Sequence, residues 1–141
     1  MQFFVVLPEA ERVAAIRISG QPGGDGEASF VDILTSVIMD VGQNQNVQNQ
    51  SLQLTESPDN ILPVALRADL NYGTGILRIR GSETILSIDL SKIRIVNQEG
   101  DSNFPMTNGQ VQSVGDSTYP VIKLAETDRL ATLAISGTPG G

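Results

Sequence analysis

The chain has 141 residues, 40% of them hydrophobic, and a net charge of −7, which suits one domain-sized core and opposes nonspecific attraction to nucleic acid or anionic lipid. Cysteine and histidine are both absent, so disulfides, thiolate metal sites and the Ser-His-Asp and Cys-His mechanisms are closed to it. With aromatics at 4% and no tryptophan, the core has to be aliphatic, which favours β-branched strand chemistry.

The opening MQFFVVLPEAER combines a short apolar run with an early proline and no leading Lys or Arg. It reads as neither a signal peptide nor a membrane span, and the expectation is a soluble chain without an export address of its own. Phe3 to Leu7 and Val13 to Ile18 are apolar or alternating runs separated by Pro8-Glu9-Ala10-Glu11-Arg12, the pattern of a hairpin. Gly20 to Glu27, GQPGGDGE, predicts a surface loop. Phe30, Ile33, Leu34, Val37, Ile38 and Val41 then recur at helical spacing, with Ser29 as a capping residue and Gly42 at the exit, and predict one amphipathic helix near residues 30–41. Gln43 to Gln50, QNQNVQNQ, is too polar to bury much surface and reads as an adaptable arm.

From Ser51 the texture is that of strands: SLQLT, VALRADL, ILRIR, TILSIDL and KIRIV, each bounded by turn residues. Asn108-Gly109, flanked by Met106 and Val111, predicts a two-residue hairpin turn. The expected fold is a single, mainly β domain over residues 1–141, an antiparallel sandwich or barrel-like arrangement of about nine or ten short strands with one helix.

The chain also repeats itself. VVLPEAERVAAIRISGQPGG from Val5 aligns without gaps to IKLAETDRLATLAISGTPGG from Ile122, an offset of 117 positions, as from Arg12 to Arg129. The expectation is a hairpin duplicated at 3–18 and 121–135, with Glu9 and Arg12, and likewise Glu126 and Arg129, paired across the turn. Generic hairpin chemistry, a tandem array with a period of 117 residues, and equivalent edge elements in a repetitive assembly all account for the duplication. The Ile-Ser-Gly-x-Pro-Gly pattern is similar to short pieces of the immunoglobulin-like repeats of large bacterial surface adhesins, over a handful of residues.

Other motifs weigh less. Asp25 and Glu27 sit among glycines without the spacing of a calcium loop, so a solvated connection is expected there, and GQPGGDG lacks the Lys-Ser or Lys-Thr of a phosphate cradle. Arg78, Arg80, Lys92 and Arg94 have Asp69, Glu83 and Asp89 near them in the strand pattern, which reads as cross-strand pairing on a solvated face. Tyr72 and Tyr119 read as cover for the edge of the core.

The functional expectation is a non-enzymatic structural subunit of a large repetitive assembly, such as a viral or phage capsid decoration (cement) or head-tail accessory protein. The alternatives are a tandem immunoglobulin-like repeat of an extracellular bacterial adhesin or scaffold, and a carbohydrate-binding module. No cofactor, metal, nucleic acid or membrane is expected. The expected partners are other copies of the chain in a homo-oligomer, or other structural proteins of the same assembly, in a virion or another extracellular setting. The expected contact residues are Phe3, Val5, Ile16, Ile18, Ile122, Leu124, Leu133 and Ile135.

Overall fold

A computed structural model describes residues 4–113 and 117–140. Among them the protein is mixed α/β and mostly strand, with eight short strands in three antiparallel sheets, two nine-residue helices and no closed barrel. The chain divides into two compact units, Met1–Ile61 and Leu62–Gly141.

In the first unit, α1 spans Glu9–Arg17 and corrects the expected amino-terminal hairpin at 3–18. The physical reason lies in its composition. Ala10, Ala14, Ala15, Glu9, Glu11 and Arg12 are strong helix formers, and Pro8 occupies the cap with a φ of −58°. Glu9 and Glu11 lie at the positive end of the helix dipole and Arg17 at the negative end. Glu9 and Arg12 do pair, but along the helix at i,i+3, with contacts of 2.9 Å.

The glycine-rich exit folds tightly back on the end of α1. Gly26 N–H donates to the Ser19 carbonyl at 3.2 Å and Gly24 N–H to that of Gln21 at 2.9 Å. A Cβ on Gly24 would lie 2.0 Å from the Ser19 carbonyl oxygen, so no other residue fits without moving the backbone. The carboxylate of Glu56 clasps this turn by accepting from Gly20 N–H at 3.0 Å and Ser29 N–H at 2.9 Å. Hydrogen bonding from Ser29, and then from Gly20 and Gln21, holds the Glu56 carboxyl below the usual glutamate range.

A carboxyl depressed on folding stabilises the clasp above its unfolded pKa of ~4.3, and that stabilisation is lost as pH falls through the lower folded value. In an NMR titration the amide resonances of Gly20 and Ser29 are therefore expected to move with a midpoint below that of a free glutamate, and Glu56→Gln should abolish the movement. A midpoint at or above the free value contradicts the clasp.

The expected helix near 30–41 is corrected to a strand and turns. β1, Phe30–Ile33, pairs antiparallel with β2, Asn49–Gln53. Ser36 then takes a φ of 67° and Met39 bridges Gln45. The apolar stripe that suggested a helix finds no core here, since Leu34, Val37, Ile38, Met39 and Val41 are all exposed. Without packing on that face, β-branched Val31 and Ile33 follow their strand preference. The polar tract 43–50 supplies the turn chemistry. The Asn46 side chain accepts from Ile38 N–H and donates to the Leu34 carbonyl, both at 2.8 Å, and Asp40 accepts from Asn44.

In the second unit β3, Ala65–Asn71, and β4, Ile76–Gly81, form a hairpin whose turn closes through Gly75 at a φ of 66°. A 3-10 turn at Leu90–Lys92 leads into β5, Arg94–Val96, which pairs with β6, Asn103–Pro105. β7, Gln110–Ser113, and β8, Val121–Lys123, complete a four-stranded sheet in the order β3-β4-β8-β7. β6 and β7 belong to different sheets, so Asn108-Gly109 marks a passage between them and not the expected hairpin turn. The expected strand at TILSIDL is reduced to a bridge between Ile85 and Ser117. Leu77, Met106, Ile122 and Leu124 form the buried centre, with Leu70, Ile79, Ile93, Ile95 and Val111 packed around it.

The chain continues from β8 into α2, Glu126–Ala134, which corrects the second expected hairpin at 121–135 to a strand followed by a helix. The reason is the same as for α1: Glu126 and Asp128 sit in the first turn, and Glu126 pairs with Arg129 at i,i+3.

Candidate interaction surface

The duplication survives in three dimensions with its offset intact. α1 and α2 begin and end at equivalent residues, Glu9 with Glu126 and Arg17 with Ala134. The details agree as well. Arg12 N–H donates to the Pro8 carbonyl and Arg129 N–H to that of Ala125, both at 2.9 Å. The Ser19 hydroxyl donates to the Ile16 carbonyl and the Ser136 hydroxyl to that of Leu133, both at 2.7 Å. Gly23 and Gly140 then take φ values of 96° and 98°. What recurs is therefore a helix with a serine-glycine exit, preceded by an apolar segment.

The two copies differ in what covers them. In the second copy, the apolar segment is β8, hydrogen-bonded on both sides to β4 and β7. Leu77 and Val111 both lie in register with Ile122. Ile122 and Leu124, expected on a contact edge, are 0% and 2% exposed and belong to the core. In the first copy, Val5, the counterpart of Ile122, is 76% exposed, and Phe4 and Val6 are exposed with it. Leu7, the counterpart of Leu124, is 46% exposed. Ile16, Leu133 and Ile135 are half-buried and Ile18 is exposed, while Phe3 lies outside the described residues.

Comparison with protein-family models, with curated proteins and with solved structures returned no match.

The faces of the helices repeat the contrast. On α2 the Asp128 side chain is 1% exposed and accepts from the backbone N–H and the side-chain amide of Asn108, both at 3.2 Å. Thr132 is fully buried, and its hydroxyl donates within the helix to the Arg129 carbonyl. Arg129 donates to the carbonyl of Tyr72 in the β3–β4 turn at 2.9 Å. On α1 the counterparts Glu11 and Ala15 are exposed. Arg12, the counterpart of Arg129, bonds Asp59 as well as Glu9, and both carboxylates raise its pKa, Glu9 first.

Sequence reasoning missed Asp128 as the anchor of α2. A signal was present, because Asp128 and Thr132 stand at i,i+4 on one stripe of the helix, but hydropathy scores such a stripe as solvated.

The other candidates take up positions in turns and on the sheet faces. Asp25 accepts from Glu27 N–H in its own turn. Among the described residues, no three acidic side chains gather into a group able to hold a metal ion. Arg78 faces Asp69 across β3–β4, Lys92 lies 3.9 Å from Asp89, and Arg80 stacks over the Tyr119 ring at 5.8 Å. The Tyr72 hydroxyl reaches the Thr132 carbonyl at 3.5 Å.

Proposed function

We propose that the chain is a non-enzymatic building block of a large repetitive assembly, and that the assembly grows by repetition of this fold at a period of 117 residues or by association of its copies. The observation that carries the reading is the pair of equivalent pieces, each an apolar segment followed by a helix and a serine-glycine turn, one with its apolar segment built into a sheet as β8 and the other with its apolar segment unpaired and exposed. A piece built twice to one plan, and covered once, is the local signature of an array in which like elements occupy like sites. Generic hairpin chemistry does not account for the shared helix bounds or for the shared serine and glycine geometry at both exits.

Within this reading a tandem scaffold is favoured over a capsid decoration protein, because the exposed residues 4–6 are the counterparts of β8 at the 117-residue offset and therefore suit a sheet of the same build as β4 and β7. The partners in either case are other copies of the fold or other structural proteins of the assembly.

The test is the parent reading frame together with the size of the purified protein. Further copies of the block R-x-A-x-x-x-I-S-G-x-P-G-G are expected at the same period, or else particles larger than a monomer in light scattering as concentration rises. A frame with no further copy, combined with a strict monomer at every concentration, would remove the proposal.

A further inference from the structure

The four exposed apolar residues Phe4 to Leu7 and the uncovered face of α1 can be read against their own counterparts, whose partners are known atom by atom. Val5 is one methylene smaller than Ile122, and Leu7 is identical to Leu124. Glu11 keeps the carboxyl group that Asp128 offers to Asn108. Ala15 stands for Thr132, whose hydroxyl serves only its own helix, so the exchange orphans no group in the neighbouring strands. Arg12 keeps the guanidinium that Arg129 directs at the Tyr72 carbonyl. Val6 replaces Lys123, whose amine reaches the Thr74 carbonyl at the exposed rim.

We propose that residues 4–17 are a docking ribbon whose partner is the second unit of another copy of this chain. Phe4 to Val6 enter between its β4 and β7 in place of β8, and α1 takes the position of α2. The inference rests on the reading of the chain as a repeated building block. β8 is only three residues long, so the exchange trades a short ladder for one of equal length, as in domain swapping. On docking, Arg12 gives up Asp59 for the acceptor's Tyr72 carbonyl.

The register makes the proposal testable in the full chain, which has no cysteine of its own. Val121 lies opposite Arg78 on β4, and Lys123 lies opposite Gln110 on β7. Their counterparts are Phe4 and Val6, and all four test positions, Phe4, Val6, Arg78 and Gln110, are exposed, so cysteines there leave the core intact. Phe4→Cys chains refolded from urea with Arg78→Cys chains, and Val6→Cys chains with Gln110→Cys chains, are then oxidised. Both mixtures are expected to give disulfide-linked heterodimers severalfold above a control mixture of Phe4→Cys with Val41→Cys, a fully exposed site on the first unit. Linkage at the control level, or in only one of the two mixtures, overturns insertion between β4 and β7. Further copies of the block in the gene without these cross-links would leave the array standing and remove the ribbon, whereas cross-links without further copies would do the reverse.

Discussion

Ile122→Asp is expected to unfold the second unit, whereas Val5→Asp, the same kind of change at the equivalent position, should be almost silent in the isolated chain. Ile122 is completely buried, with β4 on one side and β7 on the other. Asp there deletes the aliphatic contacts and places a carboxylate in the aliphatic centre formed with Leu77, Met106 and Leu124. Loss of a buried isoleucine side chain costs about 2–5 kcal/mol, and the desolvated charge adds to it. That total is comparable to the whole stability of a unit of this size. Val5 is 76% exposed, and a substitution at such a site changes stability by no more than about 0.5 kcal/mol. Urea unfolding followed by circular dichroism and by the NMR signal of the Met106 methyl separates the two. Equal losses in both variants would mean that the amino-terminal segment is covered in the monomer.

Asp128→Ala should produce the next largest loss, about 2–3 kcal/mol. The Asp128 side chain is 1% exposed and holds Asn108 through both its backbone N–H and its side-chain amide. Alanine removes two hydrogen bonds to a charged acceptor, each worth about 1.5–3 kcal/mol, and Asn108, which is itself exposed, recovers only part of that by turning its donors to water. Asp128→Asn should fall between, since it keeps one acceptor oxygen and turns the other position into a donor facing a donor. The effect is expected to be local at first. α2 should lose its hold on the passage between β6 and β7, seen as faster amide exchange at Asn108, before the sheet melts. Wild-type stability for Asp128→Ala would show that the α2 anchor lies elsewhere, with Arg129 and the Tyr72 carbonyl as the next candidate.

Both predictions turn on Ile122 and Asp128, and the sequence treated the two unequally. Ile122 stands in an apolar alternation that any strand reading marks as structural, yet its place in the centre of a sheet depends on β4, far upstream in the chain, as well as on the nearer β7. Asp128 carries a charge-bearing side chain, and hydropathy assigns such residues to solvent. The packing of α2 within its unit, with Asn108 at the Asp128 carboxylate, makes that position an interior one.

The elements divide along the same line. β4 and the β3–β4 turn follow from ILRIR and NYGTG alone, because alternation over five residues and a glycine at positive φ are local facts. The stretch 30–41 carries a helical stripe that folds as a strand and turns, since no surface in the first unit covers that stripe. α1 was legible in principle from its alanines and its i,i+3 Glu–Arg pair, and the proline at its start admitted a hairpin equally well.

By itself the sequence determined the duplication and its period, the aliphatic and β-rich character of the core, and the closure of histidine and cysteine chemistry, because these depend only on residue identity and order. Tertiary structure alone decided that the repeated piece carries a helix, and that its apolar segment is a buried strand in one copy while its counterpart stands open and unpaired. The physical reason is that an apolar face records a demand for cover, and whether a given nine-residue segment obtains it depends on which distant strands arrive beside it.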